Sequence, residues 1–246
     1  MKNIFLAMIA LAMISCSGLT HFKDEAAVGE IKKVAVVAFM VQQPSSASLG
    51  VDLSKGQLKA GNTANFMPTE GTHADLMYTD LSEALKKNLR WNVMDKKTMA
   101  SNAGYVKAYK QTMDGWQNKM PPGEGMNQFL VAQVMDAEGP RILDMKGRDE
   151  LIEALKVDAI MVARVNVILN GTSIMGLGSR YPQSKVSFFV YKKGVEKHIW
   201  FDGGIDGEES KTSVGGSAFI DETLLSNIAV ASAKTAFAKI GPELRK

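Results

Sequence analysis

The fold is decided by one stretch of the sequence, Lys33-Val34-Ala35-Val36-Val37-Ala38-Phe39-Met40-Val41. A near-continuous apolar run of this length, rich in β-branched residues, is typical of a central strand covered on both faces. A second run of the same kind, Val157 to Leu169, follows a short helical pattern at Gly147 to Leu155. Strands separated by helices favour an α/β domain.

The remaining patterns complete the predicted order β-α-β-α-β-β-β-α. A capping box at Thr72 to Asp75 begins a helix with basic residues at its carboxyl end. We expect α/β architecture with a mixed five-stranded sheet and helices on both faces. The other predicted elements are a strand at Trp91–Met94, a helix at Lys96–Trp116, a helical turn at Phe129–Met135, a hairpin of Val186–Tyr191 and Val195–Phe201 around Lys193-Gly194, and a helix at Asp221–Ile240.

Long segments without periodicity interrupt these elements. The predicted domain spans residues 31–246, with long loops at 42–71 and 117–146 and a glycine-rich loop from Gly171 to Gln183. Loops on a rigid sheet commonly carry binding. We therefore expect the partner face at Gln42 to Gly71 and at Gly171 to Gln183.

The amino terminus has the pattern of a lipoprotein signal peptide at residues 1–15. Lys2 precedes an apolar run from Ile4 to Ile14, and Ser15 precedes Cys16, the single cysteine of the chain. Eleven helical residues rise about 16 Å, roughly half the hydrocarbon core, so this run is too short to span a bilayer. We predict acylation of Cys16, which explains an unpaired thiol in an exported protein. An ordinary signal peptide with an incidental cysteine is the alternative.

A flexible polar tether is predicted to follow the lipidated cysteine, over residues 16–30. Cleavage removes Lys2 from the 29 basic residues, so 28 basic and 26 acidic residues give the mature chain a net charge of +2. This balance does not favour a nucleic-acid partner. The residue after the cysteine is Ser17 and not aspartate, a pattern that resembles outer-membrane rather than inner-membrane sorting in enterobacteria.

Three local patterns, taken in order, resemble the superfamily of the TolB amino-terminal domain, the curli-secretion channel CsgG and the penicillin-binding-protein activator LpoB. They are the opening strand Val34–Phe39, the helix Asp80–Leu85 followed by the strand Trp91–Asp95, and the helix-strand unit Glu153–Val162. The resemblance covers about Ile31 to Ile240. It implies an envelope protein that binds partners and carries no catalytic residues. It also implies an alternative, an oligomeric CsgG-like secretion ring or pore, for which the loops lack alternating strands of about 9–11 residues.

Residues with catalytic or metal-binding chemistry are scattered. His21, His73 and His198 lie far apart, and the lone cysteine excludes a multi-thiolate zinc site. An acidic cluster, Asp202, Asp206, Glu208 and Glu209, surrounds three glycines, but an EF-hand loop starting at Asp202 would put serine at its twelfth position. We therefore interpret the cluster as a solvated turn.

These observations lead to three hypotheses of function. The leading one is a lipid-anchored outer-membrane protein, facing either the periplasm or the outside, that binds another envelope protein without catalysis and needs no cofactor beyond the lipid on Cys16. The ring or pore, which requires a homo-oligomer, is second. The third hypothesis is an enzyme, and the acidic cluster at Asp202 to Glu209 is the only feature that supports it.

Overall fold

The apolar run that begins at Lys33 forms strand β2 (Lys33–Gln43) at the centre of a computed structural model. Every side chain from Val34 to Val41 is buried. β2 pairs in parallel with β5 (Ala159–Asn170), the second predicted apolar strand. Parallel strands are buried on both faces, which explains why neither run alternates at its amino end.

The structure describes residues 21–43, 72–117, 127–130, 143–171, 173–174, 177–215 and 221–241. Within these ranges strands and helices alternate along most of the chain. In addition to β2 and β5, the elements are β1 (His21–Lys23), α1 (Glu25–Gly29), α2 (Thr72–Leu89), β3 (Asn92–Val93), α3 (Lys96–Ala100), α4 (Ala103–Gln117), β4 (Asn127–Leu130), α5 (Met145–Leu155), β6 (Ser173–Ile174), β7 (Leu177–Gly178), β8 (Tyr181–Lys192), β9 (Trp200–Asp206) and α6 (Glu222–Ala238).

The strands form a mixed sheet, as predicted. Its order is β1-β9-β8-β5-β2-β3, and β4 pairs with the carboxyl end of β2, so the described sheet has seven strands where five were expected. β2 is parallel to β3 and β5, and the other pairs are antiparallel. The two-residue strands β6 and β7 form a separate small hairpin.

Helices cover both faces of the sheet, also as predicted. On one face α6 packs against β8, where the Ser184 hydroxyl donates to the Ala229 carbonyl at 2.8 Å. On the other face the Arg148 guanidinium of α5 lies 4.8 Å from the ring centre of Tyr191. Ser184 and Tyr191 are an odd number of residues apart in one strand, so they point to opposite faces. α2 packs beside α6, and α4 packs beside α5.

A bulge at Val37 bends the central strand. Val36 pairs with Met161 and Ala38 with Val162, so Val37 has no partner in β5. The Tyr105 hydroxyl of α4 donates to the Val37 carbonyl at 2.9 Å, and the Tyr78 hydroxyl of α2 donates to the Val36 carbonyl at 3.1 Å. Burial, with a smaller contribution from the charge of Asp95, raises the pKa of Tyr78 far above its usual value.

Two predicted helical segments are different in the structure. The predicted helix Lys96–Trp116 is wrong as a single element, because it is divided between α3 and α4. The Asn102 side chain accepts from the backbone N–H of Gly104 at 2.9 Å and of Tyr105 at 3.2 Å, which begins a new helix. The helical turn predicted at Phe129–Met135 is also wrong where it is described, because Phe129 and Leu130 belong to β4.

The predicted loops are shorter than expected. Gln42 and Gln43 extend β2 and Gln117 ends α4, whereas the remainder of 42–71 and most of 117–146 lie outside the described residues. The loop Gly171 to Gln183 is wrong at its carboxyl end, because β8 begins at Tyr181 and pairs with Asn170. The predicted hairpin of β8 and β9 is confirmed, but residues 193–199 connect it in place of a two-residue turn.

Candidate functional site

The chain enters the sheet five residues after Cys16, at the edge strand β1. β1 pairs with β9 in antiparallel register, with Phe22 opposite Phe201. Next to the strand, the Asp24 backbone N–H donates to the Ile199 carbonyl at 2.8 Å, and the Asp24 side chain caps α1. The predicted tether over residues 16–30 is therefore wrong from His21 onward. Local periodicity could not reveal a three-residue strand whose partner lies at the other end of the chain.

Two polar contacts hold β1 on the face that α6 covers. His21 Nδ1 and Asp202 Oδ2 lie 3.2 Å apart, and the Asp202 side chain is 0% exposed. The other oxygen of Asp202 accepts from the Gly204 backbone N–H at 2.9 Å. Lys23 Nζ lies 4.9 Å from the ring centre of Trp200. We call His21, Lys23, Trp200 and Asp202 the edge clamp, because they join the first described strand to the core.

A bulge in β9 divides the predicted acidic cluster. Asp202 pairs with Phe188 and Ile205 with Val186, so Gly203 and Gly204 together lie opposite one residue of β8. The extra residue moves the following side chains to the other face of the strand. Asp206, which follows the bulge, therefore lies on the face opposite Asp202, and Asp202 points into the protein. The interpretation of Asp202 as part of a solvated turn is wrong.

The other acidic residues of the cluster lie on the surface and do not converge on Asp202. Asp206 is exposed, and its Oδ1 lies 3.7 Å from Lys185 Nζ. Glu208 and Glu209 are exposed, and the Glu208 backbone N–H donates to the Thr235 hydroxyl at 2.7 Å. Across the described ranges, no group of three or more histidine, cysteine, aspartate or glutamate side chains could hold a metal ion.

An aromatic surface lies on the opposite face of the same strands. We call Phe22, Phe189, His198 and Phe201 the aromatic patch. The Phe189 and Phe201 rings are stacked with centres 4.7 Å apart, and the His198 ring lies 5.4 Å from Phe189, 5.5 Å from Phe201 and 5.9 Å from Phe22. Phe22 is 42% exposed. Three of these residues and Lys197 line a shallow cavity of about 390 Å³.

The predicted site residues are thus distributed over the molecule. His21 lies in the edge clamp, His198 in the aromatic patch and His73 in the first turn of α2. Cys16 lies outside the described residues, as do residues 44–71 of the first predicted partner loop, whereas most of the second, Gly171 to Gln183, is described. A second cavity of about 520 Å³ lies over α3 and α4, between Lys97 and Lys110.

The aromatic patch is not predicted from the sequence. Phe189 and Phe201 lie in the predicted hairpin, and their alternation with apolar neighbours is a signal that they share a face. Phe22 carried no such pattern, because its strand was not predicted.

Comparison with known proteins gives little further information. No protein-family model matches the chain, and no curated protein matches it. Among solved structures, lipoprotein GNA1162 from Neisseria meningitidis is similar with a TM-score of 0.34 and 13% identity, over 81% of this chain and 94% of that chain. A similarity of this size does not establish a shared function. Within the part of the chain that the structure describes, no helix is both long and apolar enough to cross a membrane.

Proposed function

We propose that this protein is an outer-membrane lipoprotein, acylated on Cys16, whose α/β domain binds another envelope component without catalysing a reaction. The observation that carries the proposal is the early start of the fold. Only the segment Ser17–Thr20 separates the cysteine from β1, and an extended chain advances at most about 3.6 Å per residue. A lipid on Cys16 would therefore keep the sheet edge within about 20 Å of the bilayer surface.

The edge clamp supports a mechanical role for this connection. Asp202 is fully buried and contacts both His21 and the backbone of Gly204. Both clamp contacts join β1 to buried side chains of β9, Asp202 and Trp200, so side chains as well as the backbone hold β1 to the neighbouring strand. A secured edge strand transmits the position of the anchor to the whole domain, which suits a module that works at the membrane surface.

Binding without catalysis is the second part of the proposal. It follows the resemblance to the TolB, CsgG and LpoB superfamily, whose members act through partners, and the observed mixed sheet is consistent with that architecture. The acidic cluster, which was the motive for an enzyme, consists of one buried structural carboxylate and separate surface carboxylates. Another envelope protein is the proposed partner.

The experiment that tests this function compares the full chain with Cys16→Ser in a bacterial host. Metabolic labelling with an alkyne fatty acid is expected to modify the full chain and not the variant. Density separation should place the labelled protein with outer membranes. In-cell crosslinking should then yield a discrete adduct with one envelope protein only when Cys16 is present.

Two results would contradict the proposal. An unlabelled full chain would remove the lipid anchor. Many-copy rings in mild detergent would replace the binding module with the alternative, a secretion ring or pore.

A further inference from the structure

We infer that the aromatic patch lies in the headgroup region of the membrane that holds the anchor, so that the domain rests on the bilayer through one defined face. The inference rests on the proposed acylation of Cys16. It adds an orientation and a lipid-contacting surface to that function.

The position of the patch in the sheet leaves its outermost ring exposed. Phe22, Phe189 and Phe201 occupy three adjacent strands, β1, β8 and β9, on the face opposite the edge clamp. On this face the Arg148 side chain of α5 covers Tyr191, at the border of the patch. Phe22 nevertheless remains 42% exposed at the outermost strand. Val195, in the connection that carries His198, is 36% exposed as well.

Only a short length of chain separates the patch from the anchor. Phe22 follows Cys16 by six residues, so their Cα atoms can be at most about 22 Å apart. The headgroup region adds roughly 5–8 Å on each side of the hydrocarbon core. If the acyl chains of Cys16 enter the hydrocarbon core of the bilayer, Phe22 can therefore reach the headgroups without the connecting chain being fully extended.

The chemistry of the surface also suits the headgroup region. Exposed phenylalanine side chains on interfacial protein surfaces enter the boundary between the lipid headgroups and the acyl chains. His198 supplies a polar ring at the centre of the patch, and exposed Lys197 lies at its margin, where a cation meets anionic phosphates. The aromatic patch and its cavity thus form an apolar surface with a basic residue, Lys197, at its margin. A bilayer surface matches this arrangement on the side from which the anchor approaches.

The test uses the full lipidated chain in vesicles of phosphatidylethanolamine with phosphatidylglycerol as the minor component. Because Cys16 would be blocked by acylation, one added cysteine can carry a spin label. Lys197→Cys places the label at the patch, and Ala231→Cys places it on the exposed side of α6, on the opposite face. Power saturation then compares access of a water-soluble nickel chelate with access of oxygen. We expect the chelate to reach position 197 at least about threefold less than position 231, with oxygen access raised at 197.

A second pair of variants tests the patch itself. Phe22→Ser should return the label at position 197 toward the accessibility of position 231. Leu76→Ser removes a comparably exposed apolar side chain from α2, at 47% exposure, and should leave it unchanged. Urea unfolding of both variants checks that the fold is retained.

The outcomes separate the inference from the function on which it rests. Protein that fails to float with vesicles contradicts acylation. If the protein floats with the vesicles but the chelate reaches positions 197 and 231 equally, the anchor is retained and the proposed orientation is wrong. Shielding at 197 that grows with the protein-to-lipid ratio would show that a second copy or another protein covers the patch, and would also overturn it.

Discussion

Replacing Asp202 with alanine is the most informative perturbation of the fold. The side chain is 0% exposed, and its two oxygens contact His21 Nδ1 at 3.2 Å and the Gly204 backbone N–H at 2.9 Å. Alanine removes the hydrogen bond from the Gly204 N–H to a buried carboxylate, which contributes about 1.5–3 kcal/mol, and the contact that holds β1, about 1 kcal/mol more. We therefore expect Asp202→Ala to lower the free energy of unfolding by about 2–4 kcal/mol.

Trp200 provides the assay, because its ring packs 5.0 Å from Phe188 in the core and its fluorescence should report unfolding in urea. Asp202→Asn retains an acceptor for the Gly204 N–H and should lose less than alanine does. Asp206→Ala is the matched control, since its exposed carboxylate lies 3.7 Å from Lys185 and should contribute less than about 0.5 kcal/mol. A loss below about 0.5 kcal/mol for Asp202→Ala would refute the edge clamp.

Three further predictions concern other parts of the domain. Tyr105→Phe should destabilise the protein by about 1–2 kcal/mol in the same urea assay, because the Val37 carbonyl loses its donor at the bulge; an unchanged midpoint would mean that water replaces the hydroxyl. Gly104→Ala should destabilise it by about 1–3 kcal/mol despite the better helix propensity, since the new Cβ would meet the Ala154 Cβ at 2.3 Å; stabilisation would show that α4 and α5 separate easily. Hydrogen bonds from the first turn of α3 hold the pKa of Asp95 below its usual value. The stabilisation by this cap should therefore be present above the unfolded-state pKa and be lost as the pH falls through the folded-state pKa. A pKa at or above about 3.9 in an NMR titration of the Asp95 carboxyl would contradict this.

The core strands could be predicted because their sequence encodes burial directly. Val34 to Val41 is apolar at every position, and a strand covered on both faces tolerates nothing else. The helices that begin at Thr72 and Glu222 carry their apolar periodicity in their own sequence, and Asp221 caps the second. These elements needed no information about distant residues.

The edge of the sheet could not be predicted for the opposite reason. β1 contains two polar residues in three positions, and its stabilising contact joins residues 181 positions apart. The bulge at Gly203 and Gly204 then exchanged the faces of the residues that follow, so an acidic pattern that looked local in sequence is divided in space. Edge strands and bulges depend on their partners, and the candidate site is built from both.

The most direct test of the account is mass spectrometry of the mature amino terminus, after extraction of the full chain from bacterial membranes. We predict that the mature chain begins at Cys16 and that its first peptide carries diacylglycerol, with or without a further amide-linked acyl chain. A first peptide with an unmodified Cys16, or a mature chain that begins at another residue, would contradict the anchor and with it the proposed position of the domain.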